Sequence, residues 1–174
     1  MATFIKIASV TVGSGGASSI DFTSIPSTYT DLVVKYSLRS TANDSGGSTP
    51  IDVRLTFNGS SSGYSERMIY GTGSSAASAA TTGTYANWAG TQTNNSQTAS
   101  TFANNEMYIP NYAGSANKSV SVDGVQENNA TAAASRLTAI LWSNTAAINR
   151  VTLSPDYGNF AQYSTATHYG IKNS

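Results

Sequence analysis

Residues 31–40 read DLVVKYSLRS and residues 51–58 read IDVRLTFN, and these two stretches decide the fold class. In the first, Val34, Tyr36 and Leu38 fall on one face of an extended chain, with Val33, Lys35, Ser37 and Arg39 on the other. In the second, Ile51, Val53, Leu55 and Phe57 alternate with Asp52, Arg54, Thr56 and Asn58. Successive side chains of a strand point to opposite faces, so a period of two with one apolar face marks half-buried antiparallel strands.

The same pattern runs outward in both directions. Phe4 to Val12 reads as a first strand, Gly13-Ser14-Gly15-Gly16 as a tight reversal, and Ser18 to Phe22 as a short returning strand that Ile25-Pro26 stops, because proline has no N–H for a ladder. A loop carrying Gly46, Gly47 and Pro50 precedes Ile51; Asn58 to Gly63 is a turn, and Tyr64 to Tyr70 runs back. Further strands are predicted at Glu106 to Ile109, Lys118 to Val125, Arg136 to Ser143, Ile148 to Ser154 and Thr165 to Lys172. Turn residues separate them at Asn111 to Ser115, Asn128 to Thr131, Asn144 and Pro155 to Asn159. Residues 71–103, rich in Ser, Thr and Asn, are expected to form one long loop insertion anchored by Trp88, with a helix over Ala76 to Ala80 disfavoured by its Ser and Thr neighbours. The expectation is an all-β, antiparallel, jelly-roll-like β-sandwich, a single domain over 1–174 with about eight to ten short strands. Leu137 to Trp142 is apolar on both faces, as befits either a central strand or one covered by a neighbouring subunit.

Composition bounds the function. The chain has 174 residues, and Ser, Thr, Asn and Gly supply 79 of them, while only 10% are charged. Nine basic residues balance nine acidic ones, so the clustered cationic excess of a phosphate-binding protein is missing and a nucleic-acid partner is not expected. With no cysteine and one histidine, neither a disulfide framework nor a zinc site is expected. The N-terminal MATFIKIASV alternates instead of forming an apolar core, so no secretory signal is read there, and no apolar run reaches the length of a membrane span. Ile, Leu, Val and Phe make up only 30 residues, but a zero net charge and ten tyrosines favour a folded, polar-surfaced domain over disorder.

Motifs that resemble chemistry fail on context. Gly59-Ser60-Ser61-Ser62-Gly63 fits a nucleophile elbow, but a strand follows where a helix is needed and no histidine stands near in sequence. Gly71-Thr72-Gly73-Ser74-Ser75-Ala76 fits a dinucleotide loop, yet residues 91–96 read TQTNNS where an acid should fall. The carboxylates Asp21, Asp31, Asp44, Asp52, Glu66, Glu106, Asp123, Glu127 and Asp156 are scattered singly, with no spacing that implies a glycosidase pair or a calcium loop. Sequons at Asn43, Asn58, Asn94, Asn117 and Asn129 match the count of about four that chance gives in so Ser/Thr-rich a chain. No enzyme activity and no cofactor are therefore expected. The aromatic residues near turns are the remaining candidates: Tyr85, Trp88, Tyr108 and Tyr112, with Trp142 and the lone His168, as a protein-contact or glycan-stacking surface, although rings at strand ends more often cap a sandwich core.

Three stretches resemble small structural proteins of tailed bacteriophages: Leu55-Thr56-Phe57-Asn58-Gly59 with Tyr64-Ser65 and Met68-Ile69-Tyr70-Gly71; Trp142 to Val151; and Asn159 to Ile171, which is similar to a closing G-S-x-A-T-L-Y-G-I strand. This chain departs from that strand at Tyr163, where Gly is common, and at His168, where Leu is usual. The resemblance implies a virion component, made in the host cytoplasm, that either decorates and cements the capsid or sits on the tail apparatus. So short a chain favours a decoration or cement protein on the major capsid protein or another virion protein, expected as a homo-oligomer, with a trimer matching the threefold positions of a capsid lattice. The alternative it leaves open is a tail- or head-fibre tip that binds a host glycan through residues 71–103.

Overall fold

A computed structural model describes residues 2–43, 51–129 and 133–172. Asp44, the Gly46-Gly47-Pro50 loop and the Thr131 end of the expected turn lie outside the described residues. The described residues form twelve strands: β1 (Thr3–Thr11), β2 (Ile20–Phe22), β3 (Asp31–Leu38), β4 (Ile51–Phe57), β5 (Tyr64–Gly71), β6 (Ala76–Gly83), β7 (Thr91–Gln92), β8 (Ala103–Ile109), β9 (Lys118–Gln126), β10 (Ala134–Trp142), β11 (Val151–Pro155) and β12 (Thr165–Lys172). There is no helix among the described residues.

The strands make two antiparallel sheets, one of eight in the order β1-β12-β3-β8-β9-β10-β5-β6 and one of four in the order β2-β11-β4-β7. The chain crosses repeatedly between them. The pairs β1–β2, β12–β11, β3–β4 and β8–β7 each place one strand in the large sheet and the next in the small one, and the four pairs lie side by side in both. This double winding makes the sandwich jelly-roll-like. Strands β9, β10, β5 and β6 extend the large sheet to one side.

The period-two reading holds residue by residue. In β4 the apolar set is buried and the polar set half-exposed, and β9 alternates buried and exposed along its whole length. The core between the sheets holds Leu32, Val34, Tyr36, Leu38, Val53, Leu55, Phe57, Val120, Val122, Leu153 and Phe160, with Trp142 against Phe57 at 5.5 Å and Tyr64 at 6.2 Å between ring centroids. Burial lifts the Tyr64 phenol to about 12, and the hydroxyl accepts the Phe57 N–H at 2.8 Å.

Three local expectations are corrected. β1 and β2 do not form a hairpin: Gly13–Gly16 makes a tight turn, with Gly16 N–H donating to Gly13 C=O, but it carries the chain from the large sheet to the small one. Likewise Tyr64–Gly71 leaves β4 for the large sheet, because Asn58 and Gly59, both at positive φ, reverse the chain at the sandwich edge. Residues 71–103 are not one loop. They contain β6, paired in unbroken register with β5 from Gly71–Ala76 to Tyr64–Gly83, and β7. A partner strand already in place satisfies the β6 backbone, which local composition cannot foresee.

Candidate interaction surface

Strand β10 is a central strand, between β9 and β5, and its two apolar faces have different fates. Thr138, Ile140 and Trp142 point into the core, whereas Leu137, Ala139 and Leu141 point outward. The register places Leu137 beside Ile69 of β5, and Ile69 beside Ser78 of β6. The result is an apolar strip on the outer face: Ile69 is 59% exposed, Leu137 51%, Val125 45% and Leu141 37%. A shallow depression of about 710 Å³ runs along it, bounded by Ile69, Ala76, Ser78 and Leu137, and a second of about 480 Å³ continues past Ala80 and Ala139. Polar groups border the strip: Arg67 on β5, Asp123 on β9, and the exposed Lys35–Glu106 pair at 2.7 Å across β3 and β8. Covering each half-exposed aliphatic side chain is worth about 1 kcal/mol.

The aromatic residues singled out in the sequence do not gather. Tyr112, Trp142 and His168 are buried inside the sandwich and present nothing to a partner. Tyr112 is fixed by its hydroxyl, which donates to Pro26 C=O and accepts the Tyr29 N–H. His168 faces the core because β12 alternates inward at Ala166, His168 and Gly170; its ring lies 5.2 Å from that of Phe22, and neither ring nitrogen has a partner. Burial pulls its pKa down to about 4. Tyr108 lies on the outer face, its hydroxyl donating to Asp31 at 2.9 Å, with burial and this carboxylate both raising its pKa. Tyr85 and Trp88 sit half-buried on the far side of the molecule, at the margin of the small sheet, where Ala86 bridges Leu55. The Arg54 guanidinium covers the Tyr85 ring at 4.5 Å and pairs with Asp156.

Buried polar side chains hold residues 84–101 in place. The Glu66 carboxylate on β5 accepts the backbone N–H groups of Asn87 at 2.7 Å and Trp88 at 2.6 Å; burial outweighs these donors and raises its pKa. Asn105 on β8 mimics a strand partner, its Oδ1 accepting Thr91 N–H at 2.8 Å and its Nδ2 donating to Thr91 C=O at 2.9 Å. Gly90 and Gly124 make room for it, since a Cβ at either would stand 2.7 or 2.6 Å from that Oδ1. The Arg39 guanidinium donates to the carbonyls of Gln97, Thr98 and Thr101 at 3.0–3.3 Å, and burial lowers its pKa.

Sequence reasoning missed Ile69, Val125 and the role of Glu66, Asn105 and Arg39. The signal for the first two was available: both stand on the polar parity of their strands, where an aliphatic residue calls for a reason. Among the described residues, no three His, Cys, Asp or Glu side chains are grouped to hold a metal ion. No helix of the described residues is long and apolar enough to cross a membrane. No protein-family model, no curated protein and no solved structure matches the chain.

Proposed function

We propose that this chain is a structural protein of a bacteriophage virion, a decoration or cement protein that binds across neighbouring capsid subunits through the outer face of its large sheet. The observation that carries the reading is the exposed strip of Ile69, Val125, Leu137 and Leu141 on a chain of zero net charge. The phage setting itself comes from the resemblance of three stretches. Two of these meet in space: Asn58 accepts the N–H groups of Asn149 and Arg150 at 2.9 and 3.1 Å and donates to Ala147 C=O at 2.8 Å. The mechanism is linkage. A protein that binds only the assembled shell stabilises it by the binding free energy, summed over many copies, with no chemical step. A neutral surface suits dense packing on a particle, where contacts are short-range and like charges would repel.

The test is electron microscopy of particles with and without the protein, together with heat and osmotic shock. Density is expected on the capsid surface, and bare shells are expected to rupture earlier. Leu137→Glu should abolish shell binding while leaving the isolated protein folded. Density only at the tail, or equal robustness of bare shells, contradicts the proposal. The glycan-binding alternative has less support, because the Tyr85 ring on which a sugar would stack is covered by Arg54.

A further inference from the structure

The two sheets have four edges, and three of them are blunted. Edge strand β1 is interrupted by a register shift between Lys6 and Ala8 and carries the Lys6 charge; β2 is three residues long and β7 only two. Bulges, charges and shortness are the devices by which sheet edges avoid pairing with other chains. Strand β6 has none of them. It spans Ala76–Gly83 with sequence AASAATTG, pairs with β5 without a register shift, and holds no charge and no proline. Among the described residues nothing pairs with its other edge.

We infer that β6 is a homodimerisation edge, pairing antiparallel with β6 of a second copy about a two-fold axis at Ala79. The Thr72 N–H to Ser75 C=O bond at 2.9 Å sets the alternation of the hairpin, so the backbone groups of Ala76, Ser78, Ala80 and Thr82 point away from β5. Pairing Ala76 with Thr82 and Ser78 with Ala80 of the second copy uses all four, giving about eight inter-chain hydrogen bonds. A shift of the axis by one residue leaves some of them unmet. The occupant is a second copy because the edge complements itself: both strands are neutral, their side chains are small on both faces, and Ala79 meets Ala79 with no like charges opposed. The pairing also joins the two Ile69–Leu137 strips on one face, about 15 Å apart, into a single longer platform. An edge of this size buries less than a standard interface, so the dimer forms at high local concentration. It is two-fold at this contact, not three-fold, and stands whether or not the partner platform is a capsid.

Sedimentation equilibrium of the full chain from micromolar to millimolar concentration tests it. A monomer–dimer equilibrium is expected, and Ser78→Pro, which removes an outward amide and spares the β5 ladder, should raise the dissociation constant at least about tenfold with unchanged thermal unfolding. Ala79→Lys and Ala79→Glu should each be monomeric alone and form a one-to-one heterodimer when mixed, which decides the matter even if Ser78→Pro misfolds. A chain that stays monomeric at millimolar concentration, open-ended growth, or a dimer indifferent to charge at position 79 overturns the inference.

Discussion

Residues 76–83 and 84–101 are both dominated by Ala, Ser, Thr and Gly, yet they occupy opposite environments. The first is an edge strand with six of its eight residues exposed; the second contains Thr91, Gln92, Thr93 and Asn94, all fully buried. Neither segment has enough apolar surface to order itself. The difference lies in what reaches them. Among the described residues β6 is held by the β5 backbone, whereas 84–101 is gripped by Glu66 on β5, Asn105 on β8 and Arg39 just past the end of β3, each aimed at main-chain groups. Low-complexity sequence is therefore ordered here by polar side chains that arrive from elsewhere in the chain.

Removing those grips should erase the difference between the two segments. Asn105→Ala strips two bonds from Thr91 and leaves its buried N–H and C=O unmet; a loss of about 3 kcal/mol is expected, read as a lower urea midpoint at constant slope. Glu66→Gln keeps the shape but has one acceptor oxygen where two N–H groups need partners. It should cost about 2 kcal/mol and open residues 84–90 to limited proteolysis before the rest of the chain.

His168 sharpens the comparison from the other side, as a buried polar group with no partner. Its folded pKa, about 4, lies below the unfolded value near 6.5, so the unfolded chain binds the extra proton and stability falls as the pH drops from 6.5 toward 4. Between pH 7 and pH 5 the loss attributable to this residue is about 2 kcal/mol, and His168→Leu should remove it from the pH dependence of the thermal midpoint. Tyr163 stands at φ +71°, a left-handed conformation natural to glycine. Tyr163→Gly is expected to raise stability by about 0.5–1 kcal/mol, a small rise in melting temperature. Smallest of all, Ala80→Glu on the exposed face of β6 should move stability by no more than about 0.5 kcal/mol, in contrast to any change under 84–101.

Fold class was legible because period-two alternation is a local signal: Val34-Tyr36-Leu38 and Ile51 to Phe57 needed no partner to be read, and their strands formed where expected. Pairing was not legible. The tight turns at Gly13–Gly16 and Asn58-Gly59 look like hairpin turns, but at a sandwich edge the same reversal delivers the chain to the opposite sheet. The exposed apolar strip was half legible. Leu137 and Leu141 drew notice as a two-faced apolar run, but their continuity with Ile69 comes from the β5–β10 register, which joins residues some seventy positions apart. A ring beside a turn suits either a contact surface or the cap of a core, and Tyr112 and Trp142 are enclosed in the core.

By itself the sequence determined a neutral, cysteine-free, all-β chain and which side of most strands would be buried, since burial parity follows from the pleat of the strand alone. Tertiary structure decided the rest: that a Ser/Thr/Asn tract is a strand in one half and a buried polar segment in the other, that His168 is enclosed, and that β6 has no neighbour on its outer edge among the described residues. Those outcomes depend on which distant backbone or side chain arrives to satisfy a hydrogen-bonding group, and no local pattern encodes that arrival.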